Sequence, residues 1–190
     1  YGTISQSFST SNLTANHAAG GLVGVNWDSG SISDSYARGS VSGNSAEIGG
    51  LVGNSFGSIT RSYATGAVTG SATIKGGLIG YSIRGSVTSS YWDTQTSGMS
   101  TSAGGVGTGL TTDQMKQQGS LSGFDFSSAS PIWGLQSAAN GGYPVLCTFG
   151  SCAPPVITVY IKPSSGTSVY GSTPQLTYAL VDSSGSLYSL

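Results

Sequence analysis

The sequence predicts an all-β chain whose main part winds as a β-solenoid, and three observations predict it. One phrase recurs about 28 residues apart, a period that marks stacked repeat architectures: Gly-Gly-Leu-Val-Gly, a polar loop, Gly-Ser-Ile, two residues, then Ser-Tyr-Ala. Its β-favouring residues come in pieces too short to fold as hairpins with a core of their own. No stretch of about ten residues carries the periodicity of a helix.

The phrase begins at Gly20-Gly21-Leu22-Val23-Gly24, with Gly30-Ser31-Ile32 and Ser35-Tyr36-Ala37. It returns at Gly49 to Gly53, with Gly57-Ser58-Ile59 and Ser62-Tyr63-Ala64, and again at Gly76-Gly77-Leu78-Ile79-Gly80, with Gly85-Ser86-Val87 and Ser90-Tyr91-Trp92. A degenerate copy, Gly2-Thr3-Ile4 and Ser7-Phe8-Ser9, opens the chain. Stacked coil on coil, equivalent residues lie about 4.8 Å apart and their backbones pair. Stacking turns the repeat into columns, and these are the predicted core: Leu22, Leu51 and Leu78; Ile4, Ile32, Ile59 and Val87; Leu13, Val41 and Val68. The glycines are expected at the corners, supplying positive φ and close approach.

Phe8, Tyr36, Tyr63 and Tyr91 form a fourth, aromatic column, in which offset stacking adds about 0.5–1.5 kcal/mol per pair. Alternation leaves its direction open. Ile32 and Tyr36 share parity, which in a straight strand would put Asp34 on their face, so a bend between them is expected. Asp34 and Arg61 occupy equivalent positions in adjacent coils and are expected to pair, an exposed contact contributing about 0–1 kcal/mol. The units differ in length between Gly24 and Gly30, Gly53 and Gly57, and Gly80 and Gly85, as surface loops do. An aromatic recurs there: Trp27, Phe56 and Tyr81. Either these side chains fold over the solenoid edge or they form a contact patch for a sugar or a protein.

The repeats occupy 1–93. From 94 to 109 the chain is rich in Ser, Thr and Gly and reads as a loop; Thr111 to Lys116 reads as a short helix with Thr112 as its N-cap. The apolar residues that follow, among them Phe124, Trp133 and Tyr143, make 94–152 a C-terminal cap over the strand edges that a solenoid end exposes. Cys147 and Cys152 are far enough apart in sequence to close a small disulfide loop, which suits an oxidising compartment; a free thiol pair is the alternative. Residues 153–155, Ala-Pro-Pro, read as a linker. Strands at 156–161 and 175–181 then begin a β-sandwich-like module in 156–190. That length is well short of the roughly 100 residues a sandwich needs, so its missing strands are absent or donated from elsewhere.

Only 7% of residues are charged and the net charge is −1, which excludes a phosphate-binding basic stripe and hence nucleic acid as partner. The 31 glycines recur at fixed repeat positions, unlike those of a disordered tract. No apolar run is long enough to span a membrane. The acids include no recurrent pair with glycosidase spacing, and no nucleophile or metal-protease motif is present, so the chain is expected not to be an enzyme. No cofactor is expected; a structural calcium ion in the Asp-bearing turns is the one ion the residues leave open.

The Gly-Gly-Leu-Val-Gly … Gly-Ser-Ile-x-x-Ser-Tyr-Ala pattern over residues 2–93 resembles the GLUG repeat of large secreted bacterial exoproteins, including filamentous-haemagglutinin-like adhesins. Tyr91-Trp92-Asp93-Thr94 and Asn140-Gly141-Gly142-Tyr143-Pro144-Val145-Leu146 resemble what flanks such repeats. Val169-Tyr170-Gly171 … Pro174-Gln175-Leu176-Thr177-Tyr178 is similar to the opening of MBG-type bacterial Ig-like modules. The resemblance implies an extracellular protein, secreted or on the bacterial surface, and supplies no catalytic residues. The expected role is a rigid, non-enzymatic stalk presenting contact loops. Its expected partners are a host or neighbouring-cell glycan or protein, or copies of itself. The alternative is a filament subunit completed by strand exchange between protomers; a polysaccharide-active β-helix enzyme is a third, weaker reading.

Overall fold

Short runs of β-favouring residues, each interrupted by Gly or Ser, cannot extend into long strands, so they pair with their own copies in the next turn. In the computed structural model these runs build five parallel ladders. Residues 2–44, 47–127, 130–136, 140–149, 152, 160–163 and 178–181 are described. Contacts divide the chain into two units, Tyr1–Cys152 and Ala153–Leu190.

The first unit is a parallel β-solenoid, and the repeat sets its register residue by residue. Ile4 pairs with Ile32, Ile32 with Ile59, and Ile59 with Val87. Phe8, Tyr36, Tyr63 and Tyr91 align in a second ladder, and Leu13, Val41 and Val68 in a third. Val23, Val52 and Ile79 align in a fourth, and Ala19 pairs with Ile48 in a fifth. The interior is filled by Ile32, Leu51, Ile59, Leu78, Ile79 and their neighbours. Leu22, Leu51 and Leu78 point into this core from the bend preceding each strand that starts at Val23, Val52 or Ile79, and so lie outside the strands. Ile4, Leu22 and Val87 are only half-buried, and Leu13 and Phe8 are 41% and 43% exposed, because each lies in an outer turn covered from one side.

Positive φ at the main corner comes from non-glycine residues, a correction to the expected role of glycine. Gln6, Asp34, Arg61 and Ser89 have φ of 43°, 48°, 46° and 46°, one per turn. This left-handed corner reverses the side-chain sense between Ile32, which faces the interior, and Tyr36, which faces out. The corner is held by a serine ladder. The backbone N–H groups of Ser7, Ser35 and Ser62 donate to the Oγ of Ser35, Ser62 and Ser90 at 3.1–3.2 Å. Each of these hydroxyls donates to the carbonyl two residues back in its own turn. The Gly-Gly pairs serve close approach instead: a Cβ on Gly21 would lie 2.5 Å from Gly50 O and 2.7 Å from Ala37 Cβ. The recurrent glycine and the alanine of Ser-Tyr-Ala are therefore one packing unit.

In the last turn Trp92 takes the place of Ala37 and Ala64. Its indole lies against Gly77 and donates to Met99 O at 2.9 Å, so the interior ends on a large ring. The stretch expected as a loop is built. Thr94–Ser97 is a helical turn capped by Asp93, Ala103–Gly105 is a 3-10 turn, and Thr108–Leu110 pairs in parallel with Tyr91–Asp93. The following helix, Thr112–Met115, is capped by Thr111 in a capping box with Gln114, one residue before the expected cap.

Residues 111–149 do more than cover an end. Their described segments, 111–127, 130–136 and 140–149, lie along the side of the solenoid over the outward-facing tyrosines: Met115, Leu121, Phe124, Trp133, Tyr143 and Leu146 bury Tyr36, Tyr63 and Tyr91 in a second core. Phe149 reaches Phe8 in the first turn, edge to face at 5.3 Å. Trp133–Gly134 and Val145–Leu146 pair antiparallel within this strap. Cys147 and Cys152 are disulfide-bonded, their Cα atoms 5.0 Å apart.

In the second unit Tyr160–Pro163 and Tyr178–Val181 pair antiparallel, Tyr160 opposite Val181. The expected linker at 153–155, and most of the segment resembling an Ig-like module, lie outside the described residues. Among the described residues no helix is long and apolar enough to cross a membrane.

Candidate contact surface

The variable loops bring two aromatic rings together at one corner. The Trp27 and Phe56 rings stack at 5.5 Å and 16°. Their loops follow strands in strict register, Asn26 opposite Ser55 and Ser55 opposite Ser82. That register makes Ile83 the next member of the column. Tyr81, expected there, aligns instead with Val25 and Asn54 one side-chain alternation earlier. Trp27, Phe56 and Ile83 each stand three residues after the glycine that opens their loop, Gly24, Gly53 and Gly80, so the third loop carries its aromatic two residues ahead of the column. Trp27 is 69% exposed and Ile83 61%, and the Arg84 guanidinium lies 5.9 Å from the Phe56 centroid. Behind the ridge, Asn26 Nδ2 donates to Ser55 Oγ at 3.2 Å and Phe56 N–H to Asn26 O at 2.8 Å, fixing the loops on the sheet edge. The result is an exposed apolar ridge with one cation at its end.

The other ring column has the opposite fate. Phe8–Tyr36 and Tyr36–Tyr63 stack at 5.1 and 4.9 Å, and Trp133 packs on Tyr36 and Tyr63 at 6.2 and 5.8 Å. Each strap contact is polar at its rim. The Tyr63 hydroxyl donates to Pro144 O at 2.6 Å and accepts from Asn140 Nδ2 at 2.8 Å, while Arg38 Nη1 donates to Asn140 Oδ1. Burial pushes the Tyr63 phenol well above the ordinary tyrosine range; Tyr36 acts in the same direction and the Asn140 hydrogen bond against it.

Asp34 and Arg61 form the expected cross-coil pair in a setting the sequence did not reveal. Arg61 Nε and Nη2 donate to the two carboxylate oxygens, each at 2.7 Å. Asp34 is buried, and Trp133 Nε1 donates to its Oδ1 at 3.3 Å. The pair thus ties strap to solenoid.

Asp93 is a second junction, missed in the sequence. Its carboxylate accepts from the Gln95 and Thr96 N–H groups at 2.9 and 3.0 Å, from Thr112 Oγ1 at 2.7 Å and from the Tyr143 hydroxyl at 2.6 Å. Burial alone would raise its pKa, but the hydrogen bonds, led by that from Tyr143, outweigh it and hold the carboxyl below the ordinary range. Burial and the Asp93 charge together raise the Tyr143 phenol. The N-cap spacing of Asp93 before Gln95 and Thr96 was the available signal; Thr112 and Tyr143 are too distant in sequence to have given one.

Residues 15–42 and 44–69 each match the GLUG motif. The chain carries a GLUG-repeat region. Each matched stretch spans one turn, from the Leu13–Ala15 ladder back to the same ladder. The turn in which Trp92 replaces the alanine lies outside both. GLUG repeats are found in extracellular bacterial proteins. No curated protein and no solved structure gives a significant match to the chain.

Proposed function

We propose that the GLUG region is a non-enzymatic adhesive stalk of a secreted or surface-anchored bacterial exoprotein, and that the Trp27–Phe56–Ile83 ridge is its contact surface. The observation that carries this reading is the contrast between the two ring columns. The chain spends a strap within 111–149 on burying the tyrosines, yet leaves Trp27 and Ile83 open. Exposed contiguous apolar surface on a folded chain marks contact sites. A solenoid suits a stalk, because each turn adds a fixed rise and any loop can vary without disturbing the interior. The carboxylates give the non-enzymatic reading its support: Asp34 and Asp93 are buried and consumed by structural hydrogen bonds.

The test is a glycan array with a parallel cell-binding assay, comparing the wild-type chain with a Trp27→Ala/Phe56→Ala double variant. The expected result is loss of binding with unchanged thermal stability. Binding that survives in the double variant refutes the ridge as the contact surface. Turnover of a polysaccharide by the wild type refutes the non-enzymatic reading.

A further inference from the structure

Arg38 and Lys116 converge on a single ring. The Arg38 guanidinium carbon lies 5.2 Å from the Tyr143 centroid and Lys116 Nζ lies 4.9 Å from it. The chain has six lysines and arginines in all. Among the described residues the ion pair within salt-bridge distance is Arg61–Asp34, so Arg38 and Lys116 meet here without a paired carboxylate. Two like charges repel. They are held by the electron-rich face of Tyr143, whose hydroxyl donates to Asp93 at 2.6 Å.

Beside them lies a depression of about 450 Å³ lined by Lys116, Leu135, Gln136, Gly141 and Gly142. Gly141 and Gly142 form its wall with φ of 63° and 86°. A Cβ on Gly141 would stand 3.3 Å from Arg38 Nη2, and one on Gly142 would stand 3.3 Å from Lys116 Cδ. The two glycines therefore leave room at both cations. Arg38 Nε is buried and makes no hydrogen bond. Arg38 Nη1 donates to Asn140 Oδ1, and among the described residues no carboxylate lies within salt-bridge distance of Lys116.

We infer that this depression binds the acidic group of an acidic saccharide, a uronate carboxylate, with Lys116, which lines it, as the ionic contact. A carboxylate supplies the missing charge, and its hydrogen bonds to a cation are the strong, charge-assisted kind. The remaining lining, Leu135, Gln136 and the two glycines, carries no charge, so a second charge on the bound residue is not called for. A polyphosphate chain does not fit, because phosphate backbones need a longer row of cations than this site offers. The site lies apart from the aromatic ridge and does not depend on it.

The experiment is calorimetric titration of the full chain with trigalacturonate and with the corresponding uncharged galactose trisaccharide. Lys116→Gln removes the proposed contact; Lys75→Gln removes the same charge elsewhere. Trigalacturonate is expected to bind the wild type and Lys75→Gln equally, and Lys116→Gln at least about tenfold more weakly, the loss of one charge-assisted hydrogen bond. The uncharged trisaccharide is expected not to bind. Equal binding by Lys116→Gln, equal weakening by Lys75→Gln, or no binding of trigalacturonate to the wild type overturns the inference. Thermal denaturation confirms that Lys116→Gln is folded, and Lys116→Arg, which keeps the charge, is expected to retain binding. A negative result leaves the ridge reading standing, because the depression shares no residue with the ridge; where trigalacturonate binds, the Trp27→Ala/Phe56→Ala variant is expected to bind it like the wild type.

Discussion

Replacing Asp34 tests how strap and solenoid are joined. Asp34 has three duties: it adopts φ of 48°, it accepts two hydrogen bonds from Arg61, and it accepts one from Trp133 Nε1. Asp34→Ala fails at all three. Left-handed backbone costs alanine about 1 kcal/mol. Leaving the buried Trp133 N–H without an acceptor costs about 1–3 kcal/mol. The Arg61 pair adds only about 0.5–1 kcal/mol, since the Arg61 side chain is 37% exposed and water replaces its partner. The sum is about 2.5–5 kcal/mol, or about 5–20 °C in the melting temperature of a unit this size. Asp34→Gly relieves the backbone cost and is expected to melt above Asp34→Ala. Asp34→Asn keeps the left-handed tolerance and an acceptor for Trp133, and is expected to lose only about 1 kcal/mol. Thermal denaturation followed by circular dichroism reads the series. An Asp34→Ala variant within about 2 °C of wild type, or a reversed order of Asn, Gly and Ala, refutes the reasoning about this corner.

Two further outcomes follow from the strap. Asp93 has a folded pKa below its unfolded value, so its stabilisation is present above the unfolded pKa of about 3.9 and is lost as pH falls through the folded value. The wild-type melting temperature should therefore drop steeply below about pH 4, and Asp93→Asn should flatten that drop while lowering stability at pH 7; an unchanged acid profile in Asp93→Asn contradicts the assignment. Trp133→Ala removes a fully buried indole that packs on Tyr36, Tyr63 and Phe124, at a cost of about 3–5 kcal/mol. Because the solenoid interior is a separate cluster, the near-ultraviolet dichroism of the tyrosines should be lost while the far-ultraviolet signal of the ladders remains; simultaneous loss of both would mean that the two cores fold as one.

Much of the solenoid was legible because its contacts recur at a fixed sequence separation. Once the period is known, Ile32 must meet Ile59 and Tyr36 must meet Tyr63, and they do. Tyr81 shows the cost of matching residue type in place of position. Trp27 and Phe56 stand three residues after Gly24 and Gly53, and the residue three after Gly80 is Ile83, which the backbone register places in their column. The serine ladder was written in the repeated Ser-Tyr, but its purpose depends on the left-handed corner. That corner is occupied by Gln, Asp, Arg and Ser, and no residue type announces it.

The sequence by itself determined the period, the parallel stacking, the interior columns and the cross-coil partnership of Asp34 with Arg61. All of these are contacts between equivalent positions, so the repeat specifies them without any knowledge of shape. Only the tertiary structure decided that the tyrosine column faces outward, that the described segments of 111–149 lie along it, and that Trp133, Asn140 and Tyr143 lock onto Asp34, Tyr63 and Asp93. Those contacts join a repeat to a unique segment at separations of 50–99 residues. No periodicity spans such a gap; the partners are chosen by which polar groups need satisfying once the ring faces are buried.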